Sequence, residues 1–302
     1  YYQIAPCFRD EDPRADRAPC EFYQLDFEMS FATQENVLSV IEKIIPQVFK
    51  ANTNKQVDVG PFKRIPYRVA MEKYGIDKPD LRNPLIIQDL TEVFKGTEFK
   101  AFDGKIVKAI KTENMQDVSR KFFDQMSDFV VNELGGKGLA WVKVDDENNL
   151  TGGISKFIDD DRKAKMYEIL WLKPGDAVFF VADEVLMNAQ KMAGQVRIEL
   201  GNRLDLLEKD VFRFCFIVDF PMYELTDEGT IDFGHNPFSM PQGELSAFDG
   251  VEVKDGKSVG SKDVFDILAY QFDLVGNGLE LASGHVRNHD PEVMIKAFEI
   301  AG

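Results

Sequence analysis

Alternating apolar and polar residues mark the first thirty positions of the chain. Residues 1–9 and 21–31 follow this pattern and are rich in aromatic side chains, and a charged stretch at 10–20 separates them. A period of two is typical of a half-exposed β-strand, so the two runs predict an antiparallel hairpin with a long loop. Thr33 then precedes apolar residues at helical spacing, which predicts a helix with Thr33 as its capping residue.

The pattern from residue 88 to residue 208 alternates between the period of a helix and that of a strand. Helices are predicted at 89–95, 116–134, 160–170 and 184–200. Strands are predicted at 98–102, 105–110, 138–144 and 177–182. These elements form a closed set, and they predict a self-contained α/β insert domain with the limits 88–208.

Apolar residues return in long runs after the insert. The run at 211–220 is nearly continuous, as is typical of a buried strand, and 265–275 and 279–286 predict further core strands. The segments 1–87 and 209–302 are therefore expected to form one discontinuous sheet domain around the insert. The predicted fold class is α+β.

The charge balance limits the possible partners. The chain carries 36 Lys and Arg residues against 52 Asp and Glu residues, a net charge of −16. This excess of negative charge excludes a general nucleic-acid coat, and DNA is not expected as a partner. No apolar run reaches the roughly 18 residues that a membrane span requires, so no membrane partner is expected. Three cysteines without paired spacing are typical of a reducing compartment, which predicts a cytoplasmic location.

The predicted hairpin carries the first set of residues with chemical potential. Arg9 ends an aromatic strand and offers a planar, permanently charged fork that suits a phosphate or a carboxylate. Phe22, Gln24, Asp26 and Glu28 lie at alternate positions, so they share one face of the second strand. Together they predict a floor for a nucleotide and a cationic amine. The alternative is a solvated hairpin whose Arg and Asp residues pair with one another.

Two further groups lie in the last third of the chain. His235 belongs to a proline-bounded loop, where a single histidine is either a site residue or an ordinary surface residue. Asp273, Glu280 and Arg287 interrupt strongly apolar strands, and charges in buried strands are costly unless they are paired or bound. The two acids are suited to Mg²⁺, and Arg287 is suited to a carboxylate. An internal Arg–Glu pair is the alternative.

Several stretches together carry a family resemblance. Phe8-Arg9-Asp10-Glu11-Asp12, with residues 14–17 and Gln24-Leu25-Asp26-Phe27-Glu28, resembles motif 2 of bacterial-type aspartyl-tRNA synthetases. Residues 75–82 resemble the approach to that family's insert, called the GAD domain, and residues 218–224 resemble the return to its catalytic sheet. The stretches occur in the family's order along the whole chain.

The resemblance implies a fold, an activity and partners. It implies the antiparallel sheet of a class II synthetase, interrupted by a GAD-type insert. It also implies that the parent protein activates L-aspartate with Mg²⁺ and ATP and transfers the product to tRNA(Asp), as a homodimer. The resemblance leaves open whether the parent also charges tRNA(Asn), because the anticodon-reading part would lie outside this chain.

Site residues follow from the positions of the matching motifs. The resemblance implies Arg9 as a catalytic residue on the ATP α-phosphate and the aspartate carboxylate, with Asp10, Glu11, Phe22 and Glu280 also binding ATP. It implies that Asp26 holds the substrate ammonium, that His235 lines the aspartate pocket, that Arg287 binds the substrate side-chain carboxylate, and that Asp273 with Glu280 holds Mg²⁺.

The resemblance also implies that this chain is a central piece of its parent. It would begin after the dimer-forming motif 1 and end before the Arg-bearing motif 3, so the chain alone is expected to be inactive. A different function is consistent with the same residues. In that alternative the chain is a non-catalytic module, built around the insert, that binds the acceptor end of tRNA.

Overall fold

The computed structural model describes residues 1–10, 20–226, 228–254 and 256–301. Its α-helices are α1 (Gln34–Asn52), α2 (Tyr67–Tyr74), α3 (Thr91–Phe94), α4 (Arg120–Asn132), α5 (Asp160–Leu170), α6 (Leu186–Arg203) and α7 (Pro291–Ala301). Its strands are β1 (Tyr2–Phe8), β2 (Glu21–Phe27), β3 (Gln56–Val57), β4 (Lys63–Pro66), β5 (Ile87–Asp89), β6 (Ile106–Thr112), β7 (Ala140–Val144), β8 (Leu150–Thr151), β9 (Ala177–Asp183), β10 (Val211–Phe212), β11 (Phe214–Pro221), β12 (Tyr223–Leu225), β13 (Ile231–Phe233), β14 (Val253–Lys254), β15 (Lys257–Ser258), β16 (Leu268–Gly276) and β17 (Leu279–His285). Short 3₁₀-helices lie at Ser155–Phe157, Glu244–Phe248 and Val264–Asp266.

The predicted hairpin and the helix behind it are confirmed. Strands β1 and β2 pair antiparallel, and the Arg9 N–H donates to the Cys20 carbonyl at 2.8 Å, one step beyond the last strand pair. Helix α1 begins after Thr33, whose hydroxyl accepts from the Asn36 N–H while the Asn36 side chain accepts from the Thr33 N–H. This reciprocal arrangement satisfies two donors at a helix start.

A four-stranded sheet forms the core of the segments that flank the insert. Its order is β17-β16-β11-β4, antiparallel except for the parallel pair of β11 with β4. Helix α1 covers one face through a cluster that includes Leu38, Phe216 and Leu274. Helix α2 covers the other face through a second cluster, which includes Ala70 and Ile217. The predicted core strands are therefore confirmed, and the observed α+β architecture with antiparallel sheets matches the predicted fold class.

The segment from β5 to β9 forms a separate five-stranded sheet. Its order is β5-β6-β9-β7-β8, and every neighbouring pair is antiparallel. Apolar clusters lie on both faces, one including residues of α4 and α6 and the other including residues of α3 and α5. The prediction of a strand at 98–102 is wrong. Phe102 is buried there among Phe94 and Phe180, so the apolar pattern reflects packing of a turn against the sheet.

Helix α6 lies against α2 and the segment that follows it. Gly75 caps α2 with φ +68°, and a Cβ there would lie 2.5 Å from the Gly194 nitrogen. Both positions therefore need glycine, because the two backbones touch. Next to this contact the fully buried Arg197 donates to three carbonyl oxygens, those of Leu85 at 2.6 Å, Asn83 at 2.8 Å and Asp80 at 3.1 Å. In the described ranges, no helix has both the length and the apolar character needed to cross a membrane.

Candidate active site

The polar face of the hairpin brings three predicted site residues together. In the β1–β2 register Phe22 lies opposite Cys7 and Asp26 lies opposite Gln3, so both share a face with Arg9. The Arg9 guanidinium carbon lies 5.1 Å from the centroid of the Phe22 ring, at cation–π distance. Gln3 donates to the Asp26 carboxylate at 3.2 Å. This face therefore offers a cation, an aromatic ring and a carboxylate in a row.

Two other predicted ATP-binding residues lie beyond the end of β1. Asp10 is exposed next to Arg9. Glu11 lies outside the described residues, so its predicted role stays a prediction.

Asp273 and Glu280 lie on one face of the core sheet. Glu280 of β17 pairs with Val275 of β16, and Asp273 lies two residues before Val275, on the same face. The Asp273 side chain is 4% exposed. Its burial, with the nearby Glu280 carboxylate, raises the pKa of Asp273 to about 7. The two acids that the sequence suggested as a pair are therefore neighbours in space.

A shift in strand register decides which face Arg287 occupies. Arg287 lies seven positions after Glu280, so regular alternation would place the two side chains on opposite faces. The β16–β17 register shifts between Leu274 and Val275, and this leaves Leu281 as an additional residue. Beyond the shift the face of Asp273 continues through Ser283 and His285 towards Arg287.

Arg287 links this face to the hairpin. Its Nη2 lies 3.5 Å from Oε1 of Glu28, and the Tyr1 hydroxyl donates to the other carboxylate oxygen of Glu28 at 2.7 Å. The Arg287 and Glu28 side chains are 62% and 54% exposed. The internal Arg–Glu pair that the sequence offers as an alternative is not the one observed, because Glu280 pairs with Lys78 and Arg287 pairs with Glu28 of the hairpin. The Arg287–Glu28 pair is solvated, weak and exchangeable.

His235 lies in the loop that follows β13 and is exposed. Its ring packs edge-on against Phe220 at a centroid distance of 4.7 Å. Desolvation lowers the pKa of His235; the carboxylate of Glu224, and less strongly those of Asp77 and Glu280, oppose this shift, and the Lys78 ammonium adds to it. Asn236 stabilises the loop that contains His235, because its side-chain oxygen accepts a hydrogen bond from the Phe238 N–H at 2.9 Å. The lowered pKa favours the neutral form of the His235 ring.

Sequence reasoning missed Lys78 as a residue of this cluster. Its Nζ lies 2.6 Å from Oδ2 of Asp77, 3.3 Å from Oε2 of Glu280 and 4.0 Å from Oδ2 of Asp273. The segment 75–82 resembles a family stretch, but no spacing rule connects Lys78 with strands some two hundred residues later. Only the tertiary structure identifies Lys78 as a member of this cluster.

The carboxylates of Asp273 and Glu280 suit a magnesium ion that is also coordinated by a phosphate. Within the described ranges, no cluster of three or more His, Cys, Asp or Glu side chains could enclose a metal ion. Mg²⁺ commonly takes one or two protein carboxylates and completes its shell with water and substrate phosphates. Asp273 and Glu280 would supply those two carboxylates.

Comparison with known proteins places the chain in a family. The family model for class II tRNA synthetases of the D, K and N type matches residues 1–302. The chain belongs to this class II synthetase family. An aspartate–tRNA ligase of Streptomyces coelicolor and one of Streptomyces avermitilis are each 52% identical over 303 residues, which is all of this chain and 49% of each relative. An aspartate–tRNA(Asp/Asn) ligase of Rickettsia akari is 49% identical over 308 residues, which is all of the chain and 50% of that relative.

This class II synthetase chain thus spans about half the length of the curated relatives that it matches. The family resemblance in the sequence is confirmed.

Proposed function

We propose that the protein carrying this chain is an aspartate–tRNA ligase, which activates L-aspartate with ATP to aspartyl-adenylate and transfers it to tRNA. The observation that carries the proposal is the joining of the two polar faces. Arg287, at the end of the acidic face of the core sheet, contacts Glu28 at the end of the hairpin face that bears Asp26 and Arg9.

The arrangement supports an elongated ligand. The backbone positions of Arg9 and Gln3 are six residues apart along the line of β1, or about 20 Å. The Arg9 guanidinium lies over the Phe22 ring, so the cation and the ring are together at one end of this face and Asp26 is at the other. An aminoacyl adenylate is charged at one end, carries a phosphate in the middle and has an aromatic base at the other end. We assign its ammonium to Asp26, its α-phosphate to Arg9 and its adenine to Phe22, with Asp10 and Glu11 near the nucleotide.

The substrate side chain is assigned to the face of the core sheet. Arg287 offers two parallel N–H donors, and a carboxylate accepts both, whereas an amide presents an NH₂ group to one of them. His235, as a neutral ring, lines the same pocket without adding a second positive charge. This donor pattern favours aspartate over asparagine.

The residues support catalysis by positioning and charge neutralisation. The aspartate α-carboxylate attacks the α-phosphorus of ATP, a new O–P bond forms, and pyrophosphate leaves in line with the attack. No protein nucleophile is needed, because Arg9 holds the carboxylate next to the phosphate and neutralises the charge that develops on it. A Mg²⁺ ion held by Asp273 and Glu280 would supply positive charge to the phosphates.

From family membership we also propose that the protein transfers aspartate to tRNA(Asp), forms a homodimer and is located in the cytoplasm. The Streptomyces relatives are named for aspartate alone and the Rickettsia relative for both tRNA(Asp) and tRNA(Asn). Their identities of 52% and 49% do not separate the two specificities, so we propose tRNA(Asp) as the substrate, with the additional charging of tRNA(Asn) as the alternative.

Aspartate-dependent exchange of pyrophosphate into ATP tests the proposal. A chimera in which this chain replaces the matching stretch of the S. coelicolor relative should catalyse exchange. The 302-residue chain alone should stay near background, since it has half the length of its relatives. A folded chimera that binds the tRNA acceptor end without any exchange would instead support the non-catalytic module.

A further inference from the structure

Lys78 lies against the same carboxylates that are proposed to hold the metal ion. Its ammonium is within ion-pair distance of Glu280 at 3.3 Å and of Asp273 at 4.0 Å. Its shortest contact is to its neighbour Asp77, at 2.6 Å. An ammonium at these distances attracts the same carboxylate oxygens that a divalent cation needs.

The backbone that carries Lys78 is fixed from two sides. On one side Arg197 of α6 donates to the carbonyls of Asp80, Asn83 and Leu85, a few residues further along. On the other side the turn between β16 and β17 touches the same segment, because a Cβ on Gly278 would lie 3.2 Å from Cβ of Asp80. The backbone next to Lys78 is thus fixed beside the acidic pair, while its side chain remains free to move.

Lys78 partly neutralises the carboxylates that surround it. Three carboxylates surround one ammonium, and one of them, Asp273, is almost fully buried. A buried carboxylate is costly without a counter-charge. Lys78 supplies one positive charge, whereas a divalent cation would supply two to the same oxygens. The lysine stem is flexible, and Asp77 can retain the ammonium when it leaves the pair.

We propose that Lys78 is an internal cation that competes with divalent metal ions for Asp273 and Glu280 and thereby sets the metal affinity of this site. The inference rests on the proposed function, which assigns the pair as metal ligands. When a divalent ion binds, the Lys78 ammonium withdraws to Asp77. Removal of the ammonium therefore strengthens metal binding, which is opposite to the effect expected of a residue that builds the site.

Binding of Mn²⁺ to the 302-residue chain tests the proposal, with free Mn²⁺ measured by electron paramagnetic resonance. Lys78→Met should bind Mn²⁺ about tenfold tighter or more, because it removes the repulsion between the ammonium and a divalent ion a few ångströms away. Lys78→Arg retains the charge and should stay within about threefold of the parent. Lys73→Met, at an exposed position on the last turn of α2, makes the same change in net charge and should also stay within about threefold.

The double variant Asp273→Asn, Glu280→Gln separates the two possible failures. If it binds Mn²⁺ as well as the parent chain does, the metal assignment within the proposed function is wrong. If it loses Mn²⁺ binding while Lys78→Met binds no tighter than the parent, the competition by Lys78 is refuted and the metal assignment stands. Thermal melting establishes that each variant is folded, and Lys78→Gln serves if Lys78→Met is not.

Discussion

Arg287 and Glu28 lie 3.5 Å apart, and their contact joins the end of strand β17 to the residue that follows the hairpin. Both side chains are more than half exposed, so the pair contributes at most about 1 kcal/mol. A weak pair of this kind is readily replaced by a substrate carboxylate. Under the proposed function, the side-chain carboxylate of the substrate would replace Glu28 at the Arg287 guanidinium.

Arg287→Lys in the active chimera should retain ATP binding and lose most aspartate activation. A lysine ammonium is a point charge and cannot make the two parallel hydrogen bonds of the guanidinium. Steady-state exchange kinetics measure the effect, which should exceed tenfold in kcat/KM for aspartate. Glu28→Gln is the matched control, because it removes the ion pair and retains Arg287, and it should stay within about threefold. An Arg287→Lys enzyme within threefold of the parent would make Arg287 a structural ion-pair residue.

Arg9→Lys should have a different kinetic signature. Arg9 is assigned to both the α-phosphate and the aspartate carboxylate, so loss of its fork should weaken the use of ATP and of aspartate together. Separate titrations of ATP and aspartate in the exchange assay distinguish the two variants. A defect for aspartate alone would contradict the assignment of Arg9 to the phosphate.

The segment 88–208 is predicted to fold independently as a GAD-type insert, because it contains the five-stranded sheet except for Ile87, the first residue of β5, and has apolar clusters on both faces. Circular dichroism should show a cooperative melt for the excised segment. A longer piece, 83–208, should be more stable by about 2 kcal/mol or more. It retains Leu85, which is buried in the same cluster as Phe123, and two carbonyl acceptors for Arg197. A non-cooperative melt for both pieces would count against the domain limits.

Arg197→Met should destabilise the 302-residue chain by about 3 kcal/mol or more. The substitution removes the donors to three carbonyls and leaves buried acceptors without partners. Urea unfolding followed by fluorescence measures the change. Lys191→Met is the control on the same helix, at an exposed position, and its effect should be within about 0.5 kcal/mol. Equal effects of the two substitutions would show that Arg197 does not secure the segment 80–85.

Asp176→Asn should stabilise the chain near neutral pH and not at low pH. Asp176 is fully buried, and burial raises its pKa although the Lys173 N–H donates to it and Lys111 lies 3.7 Å away. The folded state therefore holds the Asp176 proton more tightly than the unfolded state does. Stability from this group is present below its unfolded pKa of about 3.9 and is lost as the pH rises through the folded value.

Urea unfolding at pH 4 and at pH 7.5 measures this difference. The gain from Asp176→Asn should appear at pH 7.5 and shrink towards pH 4. Asp161→Asn, which removes an exposed partner of Lys165, should show no comparable gain at either pH. A gain that is the same at both values would mean that the carboxyl stays charged in the folded state.

The sequence by itself determined the local elements and the residue types of the candidate site. The hairpin, helix α1 and helix α5 follow from apolar period and capping, because those signals act over a few residues. The family resemblance follows from short stretches in order. The charged residues in apolar strands, Asp273, Glu280 and Arg287, were identifiable because burying a charge requires a partner.

The tertiary structure alone decided how those residues meet. The register shift near Leu274 sets which face leads to Arg287, and a single additional residue in a strand leaves no signal in the apolar pattern. Lys78 meets Glu280 because α2, Arg197 and the β16–β17 turn fix one segment between them. Phe102 was assigned to a strand because a turn that packs against a sheet is as apolar as a strand. In each case the deciding interactions join residues far apart in the chain, whereas period and spacing describe near neighbours.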